Sequence, residues 1–294
     1  MTRPRPSVVF FGSGPVAAAS LRLLAQDFTI EAVVTKPKAP HHRGEVPVLD
    51  SAKELGLPVF TAAGKQELDQ LFDSKPLSSR LAILIDFGII VSQKAIDYFP
   101  LGIINSHFSI LPQWRGADPI TFAVLSGQSK TGVSLMLLVA AMDEGPLLAY
   151  GEYDMPTDIT TPKLTDELIQ LSHELLKDAV PKYLAGQLQT VPQTITKQPA
   201  SYSRKLTKSD GHINWAKPSD QIEREVRAYL DWPKSQAKIF GHDVIITKAR
   251  VATAQNDGDL VMKCQPGWLE VQELKAPSGR TMSGADFLRG YNKQ

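Results

Sequence analysis

An amide, an imidazole and a carboxylate are the side chains of this sequence best placed to do chemistry together. Asn105-Ser106-His107 stands where an apolar run, Leu101 to Asn105 (LGIIN), gives out and a proline-containing loop begins. In an extended chain residues two apart share a face, so Asn105 and His107 converge at the carboxyl end of a strand. A second apolar run, Gly132 to Ala141, ends in Asp143-Glu144-Gly145, a turn that should bring a carboxylate to the same edge. Together they make an acid/base set. Taken singly each has a structural reading as well, His107 as a strand-end histidine and Asp143 as a turn former.

These groups need a sheet to hold them. From Ser7 to about Gly132 apolar runs alternate with helix-length amphipathic stretches: Val8 to Phe11, Val16 to Gln26, Ile30 to Thr35, Asp50 to Leu55. That alternation predicts an α/β fold with a Rossmann-like, mostly parallel sheet. Leu81 to Phe87 and Leu101 to Asn105 are apolar without interruption, as strands covered on both faces are, so they should be central. Ligands in such sheets sit at the carboxyl ends of the strands, where Asn105 and His107 are expected. Thr161 to Leu184 carries Leu164, Leu168, Leu171, Leu175, Leu176 and Val180 at helical spacing and closes a first domain at residues 1–188. Residues 189–203, rich in Gln, Thr, Ser and Pro, read as an extended linker. Residues 204–294 hold short β-rich runs between Gly, Pro, Asn and Asp turns, with a helix near Ser219 to Tyr229, and predict a small OB-like β-barrel domain.

Gly12-Ser13-Gly14-Pro15-Val16-Ala17 follows a strand and opens a helix, as a dinucleotide-binding turn does. The second strand ends in Val33-Val34-Thr35-Lys36, without the acidic residue that would hold a ribose, and Pro15 interrupts the turn. We read a tight strand-to-helix turn and expect no nicotinamide cofactor.

An apolar fraction of 43% over 294 residues can fill two cores and excludes a disordered chain. The longest apolar stretches, such as Val133 to Met142, fall short of the ~20 residues of a bilayer span, so we expect a cytoplasmic protein with no membrane partner. A single cysteine, Cys264, permits neither an internal disulfide nor a thiolate metal cluster, and no metal is expected. Up to residue 200 there are 17 Lys and Arg against 20 acids, and beyond it 15 against 11, a mildly basic second half that could face a phosphate backbone.

Asn105-Ser106-His107, then Ser109-Ile110-Leu111-Pro112-Gln113-Trp114-Arg115-Gly116-Ala117, then Met142-Asp143-Glu144-Gly145 closely resemble the N-x-H, S-L-L-P, W-R-G and L-D-x-G pattern of the formyltetrahydrofolate-dependent transferases. Further matches to that family include Pro40-His41-His42-Arg43-Gly44, Gly56-Leu57-Pro58-Val59-Phe60, Phe87-Gly88-Ile89-Ile90 and Thr131-Gly132-Val133. In the second half Lys205-Leu206-Thr207-Lys208, Ile213-Asn214-Trp215, Trp232-Pro233 and Met282 to Leu288 resemble the tRNA-binding domain of the branch that acts on initiator methionyl-tRNA. A branch acting on sugar nucleotides with the same folate donor is the alternative.

The resemblance implies formyl transfer from 10-formyltetrahydrofolate to an amine. Asn105 and His107 would donate to the formyl oxygen as it gains charge, and Asp143 would orient the ring and help remove the amine's proton. Phe87, Gly88, Ile90 and Val91, with Ser109, Ile110, Leu111 and Pro112, would receive the folate. Arg43, Arg204, Lys205 and Lys208 would contact tRNA, and the enzyme is expected to be a monomer. The sequence departs from the family pattern in a short loop after Arg43 (Gly44-Glu45-Val46), in Val139-Ala140-Ala141, and in Asp86 and Asp118.

Overall fold

The computed structural model describes residues 5–38, 44, 46–74, 76–255 and 258–292; Arg43 lies outside them. The chain forms two compact units. The first comprises residues 1–116, 131–153 and 166–202, and the second 117–130, 154–165 and 203–294.

In chain order the elements are β1 (Ser7–Phe11), α1 (Pro15–Asp27), β2 (Thr29–Thr35), α2 (Pro47–Glu54), β3 (Val59–Thr61), α3 (Lys65–Ser74), β4 (Ala82–Leu84), α4 (Gln93–Asp97), β5 (Ile103–His107), β6 (Arg115–Gly116), α5 (Pro119–Ser126), β7 (Lys130–Leu137), β8 (Leu147–Asp154) and α6 (Thr161–Leu184). Seven strands form one sheet in the order β3-β2-β1-β4-β5-β7-β8. The pairings β2–β3, β1–β2, β1–β4 and β4–β5 are parallel, and β7 runs antiparallel to β5 with Asn105 opposite Met136 and His107 opposite Ser134. This is the mostly parallel α/β sheet expected. Val8 to Phe11, Ala82, Ile83, Ile103 and Ile104 are fully buried, so continuous apolar runs mark strands covered on both faces. Under one face Phe11 meets Phe87 and Phe99 edge-on at 5.3 and 6.0 Å.

Two strands are shorter than their apolar runs. β4 stops at Leu84 because Asp86 turns the chain with φ 46, and β7 stops at Leu137, leaving Val139, Ala140 and Ala141 outside the ladder. The first departure opens the carboxyl edge of the parallel strands into a loop; the second frees the chain after antiparallel β7 for the loop that carries Asp143.

The second unit continues with β9 (Tyr202–Ser203), α7 (Ser219–Ala228), β10 (Ser235–Ile239), β11 (His242–Ala252), β12 (Val261–Lys263), β13 (Trp268–Lys275), β14 (Thr281–Ser283) and α8 (Gly284–Tyr291). Its sheet is antiparallel, in the order β10-β11-β13-β12 with β14 on β13, the small β domain the turn-rich sequence predicts. Val226, Ile239, Val244, Ile246, Leu274 and Phe287 fill its core. β11 is one strand where the runs Val244 to Thr247 and Val251 to Thr253 suggest two short ones, because register shifts around Lys248 absorb the break in alternation. α5 belongs to this unit: Arg224 of α7 donates from Nε to the Leu125 carbonyl at 3.1 Å. Among the described residues no helix is long and apolar enough to cross a membrane, and no group of three or more His, Cys, Asp and Glu stands close enough to hold a metal ion.

Candidate active site

The carboxyl end of β5 and the β7–β8 turn do meet. Asn105 Nδ2 lies 3.4 Å from Asp143 Oδ1, and His107 Nδ1 lies 3.8 Å from Asp143 Oδ2. All three side chains are largely buried, with Asn105 at 9%, His107 at 7% and the Asp143 side chain at 12% exposure. A charge so enclosed interacts strongly with its neighbours because little water screens it. Asp143 Oδ2 also accepts a hydrogen bond from the Gly116 amide at 2.7 Å, which anchors the carboxylate.

The ring of His107 is oriented by the other nitrogen. Nε2 lies 2.9 Å from the Trp114 carbonyl, and a carbonyl can only accept, so Nε2 carries a proton. Nδ1 is then the ring nitrogen left facing Asp143. At 3.8 Å the two atoms stand beyond the reach of a direct hydrogen bond. The Asn105 amide and the His107 Nδ1 edge thus flank one carboxylate. Such a constellation can place N–H donors on a developing oxyanion and carry a proton away from an attacking amine.

Backbone conformation matters as much as residue type here. Asp143 and Trp114 both adopt the left-handed region, at φ 51 and 55. Gly145 has no room for a side chain, since a Cβ there would stand 1.7 Å from the Leu137 carbonyl oxygen. The D-E-G turn is therefore pressed against the end of β7, and its first residue is aimed back at β5.

Residues 189–203, expected as an extended linker, are tied to these loops. Gln193 is buried and donates from Nε2 to the carbonyls of Asp143 (2.7 Å) and Gly145 (2.9 Å) while accepting from Arg115 Nη2 at 2.7 Å. Thr196 Oγ1 donates to Leu111 O at 2.7 Å. Ser201 Oγ accepts from the Trp114 amide at 3.0 Å, and its carbonyl accepts from Arg115 N at 2.9 Å. Val191 exchanges two backbone hydrogen bonds with Leu147, each 2.8 Å. Gln, Thr and Ser give this stretch the composition of a linker, yet here their polar groups satisfy loop carbonyls and amides. Sequence reasoning missed Gln193, Thr196 and Ser201 because a polar side chain's partner tens of residues away leaves no local pattern.

The proposed folate segment divides. Phe87, Ser109, Ile110, Leu111 and Pro112 are buried. Ser109 O and Leu111 N are both engaged by Ser134 Oγ, at 2.8 and 2.9 Å. Gly88 and Ile90 are exposed, Ile90 at 79%, and Val91 is half-buried against the core. Only the second group presents surface to solvent, through the Gly88 backbone and the Ile90 and Val91 side chains; the first shapes the loop from beneath.

The glycine turn after β1 is held from within. Ser13 N and Gly14 N donate to the Asp86 carbonyl at 2.9 and 3.4 Å. Ser13 Oγ donates to Phe87 O at 2.7 Å, and a Cβ on Gly14 would stand 1.9 Å from Asp86 Oδ2. Amides that would cradle a pyrophosphate face Asp86 instead, with its carboxylate beside them. The glycines serve close packing.

In the second unit Lys205 and Lys208 are exposed. Arg204 forms a two-pronged ion pair with Asp210, which also caps the turn at Thr207. The guanidinium and the Thr207 amide and hydroxyl hold the Asp210 carboxyl well below the usual carboxylate range.

Residues 7–180 match the family "Formyl transferase", and residues 205–292 match "Formyl transferase, C-terminal domain". The chain is 33% identical to the methionyl-tRNA formyltransferase of Chloroflexus aggregans, with 97% of each chain covered. It is 31% identical to that of Pseudomonas paraeruginosa, over 98% of this chain and 96% of the relative. Among solved structures, a sugar 3N-formyl transferase in the presence of dTDP and 5-N-formyl-THF superposes with TM-score 0.68 at 16% identity, covering 94% of this chain and 98% of that one. The N-formyltransferase of Helicobacter canadensis, with folinic acid and dTDP-3-aminofucose, gives 0.65 at 17% identity and 96% coverage of both. Two domain matches in the right order, relatives of equal length and a shared fold agree: this chain belongs to the formyl transferase family.

Proposed function

We propose that the chain transfers the formyl group of 10-formyltetrahydrofolate to the α-amino group of methionine on initiator tRNA, as a monomeric cytoplasmic enzyme of translation initiation. The observation that carries the chemistry is the convergence of Asn105, His107 and Asp143 within 3.4 and 3.8 Å. The acceptor reading rests on the curated methionyl-tRNA formyltransferases that match along almost the whole chain; the sugar formyltransferases share the fold at 16–17% identity.

In this reading the neutral amine attacks the formyl carbon, and the carbonyl electron pair moves onto oxygen. Asn105 Nδ2 donates to that oxygen, and the His107 Nδ1 edge, facing the same point, supplies the second donor when protonated. Asp143 stabilises positive charge on the ring while the proton is carried and, through a water, assists its removal from the amine. Collapse of the tetrahedral intermediate expels the reduced folate nitrogen, which takes a proton. The folate is received by the loop bearing Gly88, Ile90 and Val91, over the segment Ser109 to Pro112 and beside Phe87. Lys205 and Lys208 meet tRNA phosphate. Arg43, outside the described residues, is assigned to the acceptor end by resemblance, and Arg204 contacts tRNA while paired with Asp210. Residues 1–188 carry the chemistry and 204–294 bind tRNA.

The test is formylation of charged initiator tRNA by wild type and by Asn105→Ala and His107→Ala, with charged elongator methionine tRNA as control. Loss of one oxyanion donor should lower kcat about 10²–10³-fold. Wild-type formylation of an amino-sugar nucleotide but not of tRNA would overturn the acceptor.

A further inference from the structure

The Asp143 carboxylate works only if its turn is held, and the backbone there is unfavourable for a side chain, at φ 51. β7 ends at Leu137, whose amide donates to Pro146 O at 2.9 Å and fixes the exit of the turn but leaves the carbonyls of Asp143 and Gly145 to be held otherwise. The restraint comes from Gln193. One amide nitrogen bridges the carbonyls on either side of the turn, Asp143 O at 2.7 Å and Gly145 O at 2.9 Å. The amide oxygen is fixed in turn by Arg115 Nη2 at 2.7 Å, and Arg115 Nη1 holds Glu144 Oε1 at 3.0 Å. All three residues of the turn are thus gripped by one pair of side chains, while the neighbouring Gly116 amide holds the carboxylate itself.

We propose that Gln193 is a positioning residue for formyl transfer, acting through the Asp143 turn. The proposal rests on the reading of Asp143 as a member of the reacting set. Gln193 touches none of the reacting atoms; what it sets is the direction in which the carboxylate leaves the turn. An amide is required because the site needs two N–H bonds toward carbonyls and one acceptor toward a guanidinium, a demand that only a side chain bearing both an NH₂ and a C=O meets. Gln193→Glu keeps length and the Arg115 pairing but turns an acceptor oxygen toward two carbonyls. Gln193→Met keeps length and donates nothing.

The experiment measures kcat and KM for 10-formyltetrahydrofolate in wild type, Gln193→Glu, Gln193→Met, Asp143→Asn and the double variant Gln193→Met/Asp143→Asn, each with its thermal unfolding curve. Misaiming a working group by a fraction of an ångström should lower kcat about 10- to 100-fold in both Gln193 variants, with KM changed by less than about twofold. If Gln193 acts through Asp143, the double variant is no slower than Asp143→Asn alone. Wild-type kcat in the Gln193 variants, beside a slow Asp143→Asn, would overturn the positioning role and leave the site reading intact. Full activity in Asp143→Asn would remove the site reading itself, and the proposal with it. Multiplicative losses in the double variant, or Gln193 variants that do not fold, would also overturn it, since the amide would then serve something other than the turn.

Discussion

Gly145 is the residue whose replacement most directly tests how the Asp143 turn is built. A methyl group there would meet the Leu137 carbonyl at 1.7 Å, and that carbonyl belongs to the last residue of β7 and cannot step aside. Gly145→Ala should therefore displace the turn, costing about 1–3 kcal/mol of stability by overpacking and lowering kcat with it. Equilibrium unfolding together with steady-state rates checks this; a variant as stable and as fast as wild type would show that the turn is looser than its geometry. At this scale the sequence was informative about the residues proposed to react, whose side chains do converge, and silent about their supports. Asn105 and His107 could be paired because strand periodicity puts them on one face. Trp114 and Gly116 stand in the W-R-G motif, but their supporting roles and that of Gln193 could not be read, because a carbonyl, an amide and a linker glutamine take up such roles only through tertiary contact.

β5 carries both donors on one face, and the residue between them points the other way, toward α6. Ser106 and Ser172 are 3% and 1% exposed and share a hydrogen bond of 2.7 Å. That bond fixes the rotation of β5 against the helix that covers it. Ser172→Ala leaves the Ser106 hydroxyl buried without its partner and should cost about 1–3 kcal/mol, whereas the double change Ser106→Ala/Ser172→Ala should cost less than the sum of the two single changes. A double-mutant cycle by denaturant unfolding measures the coupling, and additive single costs would show the pair to be passive. Elements were legible where one physical rule dominates. α6 runs from Thr161 to Leu184 as its apolar spacing and N-terminal proline indicate. β4 was overread to Phe87 because hydropathy does not register a positive φ at Asp86. β11 was split because a shifted register looks like an end.

Across the whole molecule, each unit encloses a tyrosine whose phenol is pushed up by burial, Tyr183 in the first and Tyr229 in the second. In the second, burial and the nearby carboxylates of Glu225 and Asp210 push the Tyr229 phenol up to about 12 from its ordinary 10.0. Because the folded pKa is raised, the unfolded chain releases this proton first. The contribution to stability is whole below pH 10.0 and is lost as pH rises through about 12. Tyr229→Phe should flatten the alkaline fall in stability over that window, as followed by unfolding midpoints at stepped pH; an unchanged slope would mean the phenol ionises freely. The two-unit organisation was legible from the change in sequence texture near residue 200, but α5 was not separable from the alternating pattern around it, and its packing against α7 assigns it to the other unit. The segment from Val191 to Ser201 carries a consequence for how the protein is made. Arg115 and Gln193 are separated by 78 residues, and Trp114 and Ser201 by 87. A growing chain that has reached Leu184 already contains every strand of the large sheet and Asn105, His107 and Asp143, but not Gln193, which holds the Asp143 turn, nor Ser201, which holds the Trp114 amide. The sheet can form early in synthesis, while a competent site has to wait for residue 201 to leave the ribosome. On the proposed reading, a nascent or proteolysed fragment ending at α6 carries Asn105, His107 and Asp143 without the ties from Gln193 and Ser201, and should transfer no formyl group until the segment leading into the second unit has been made.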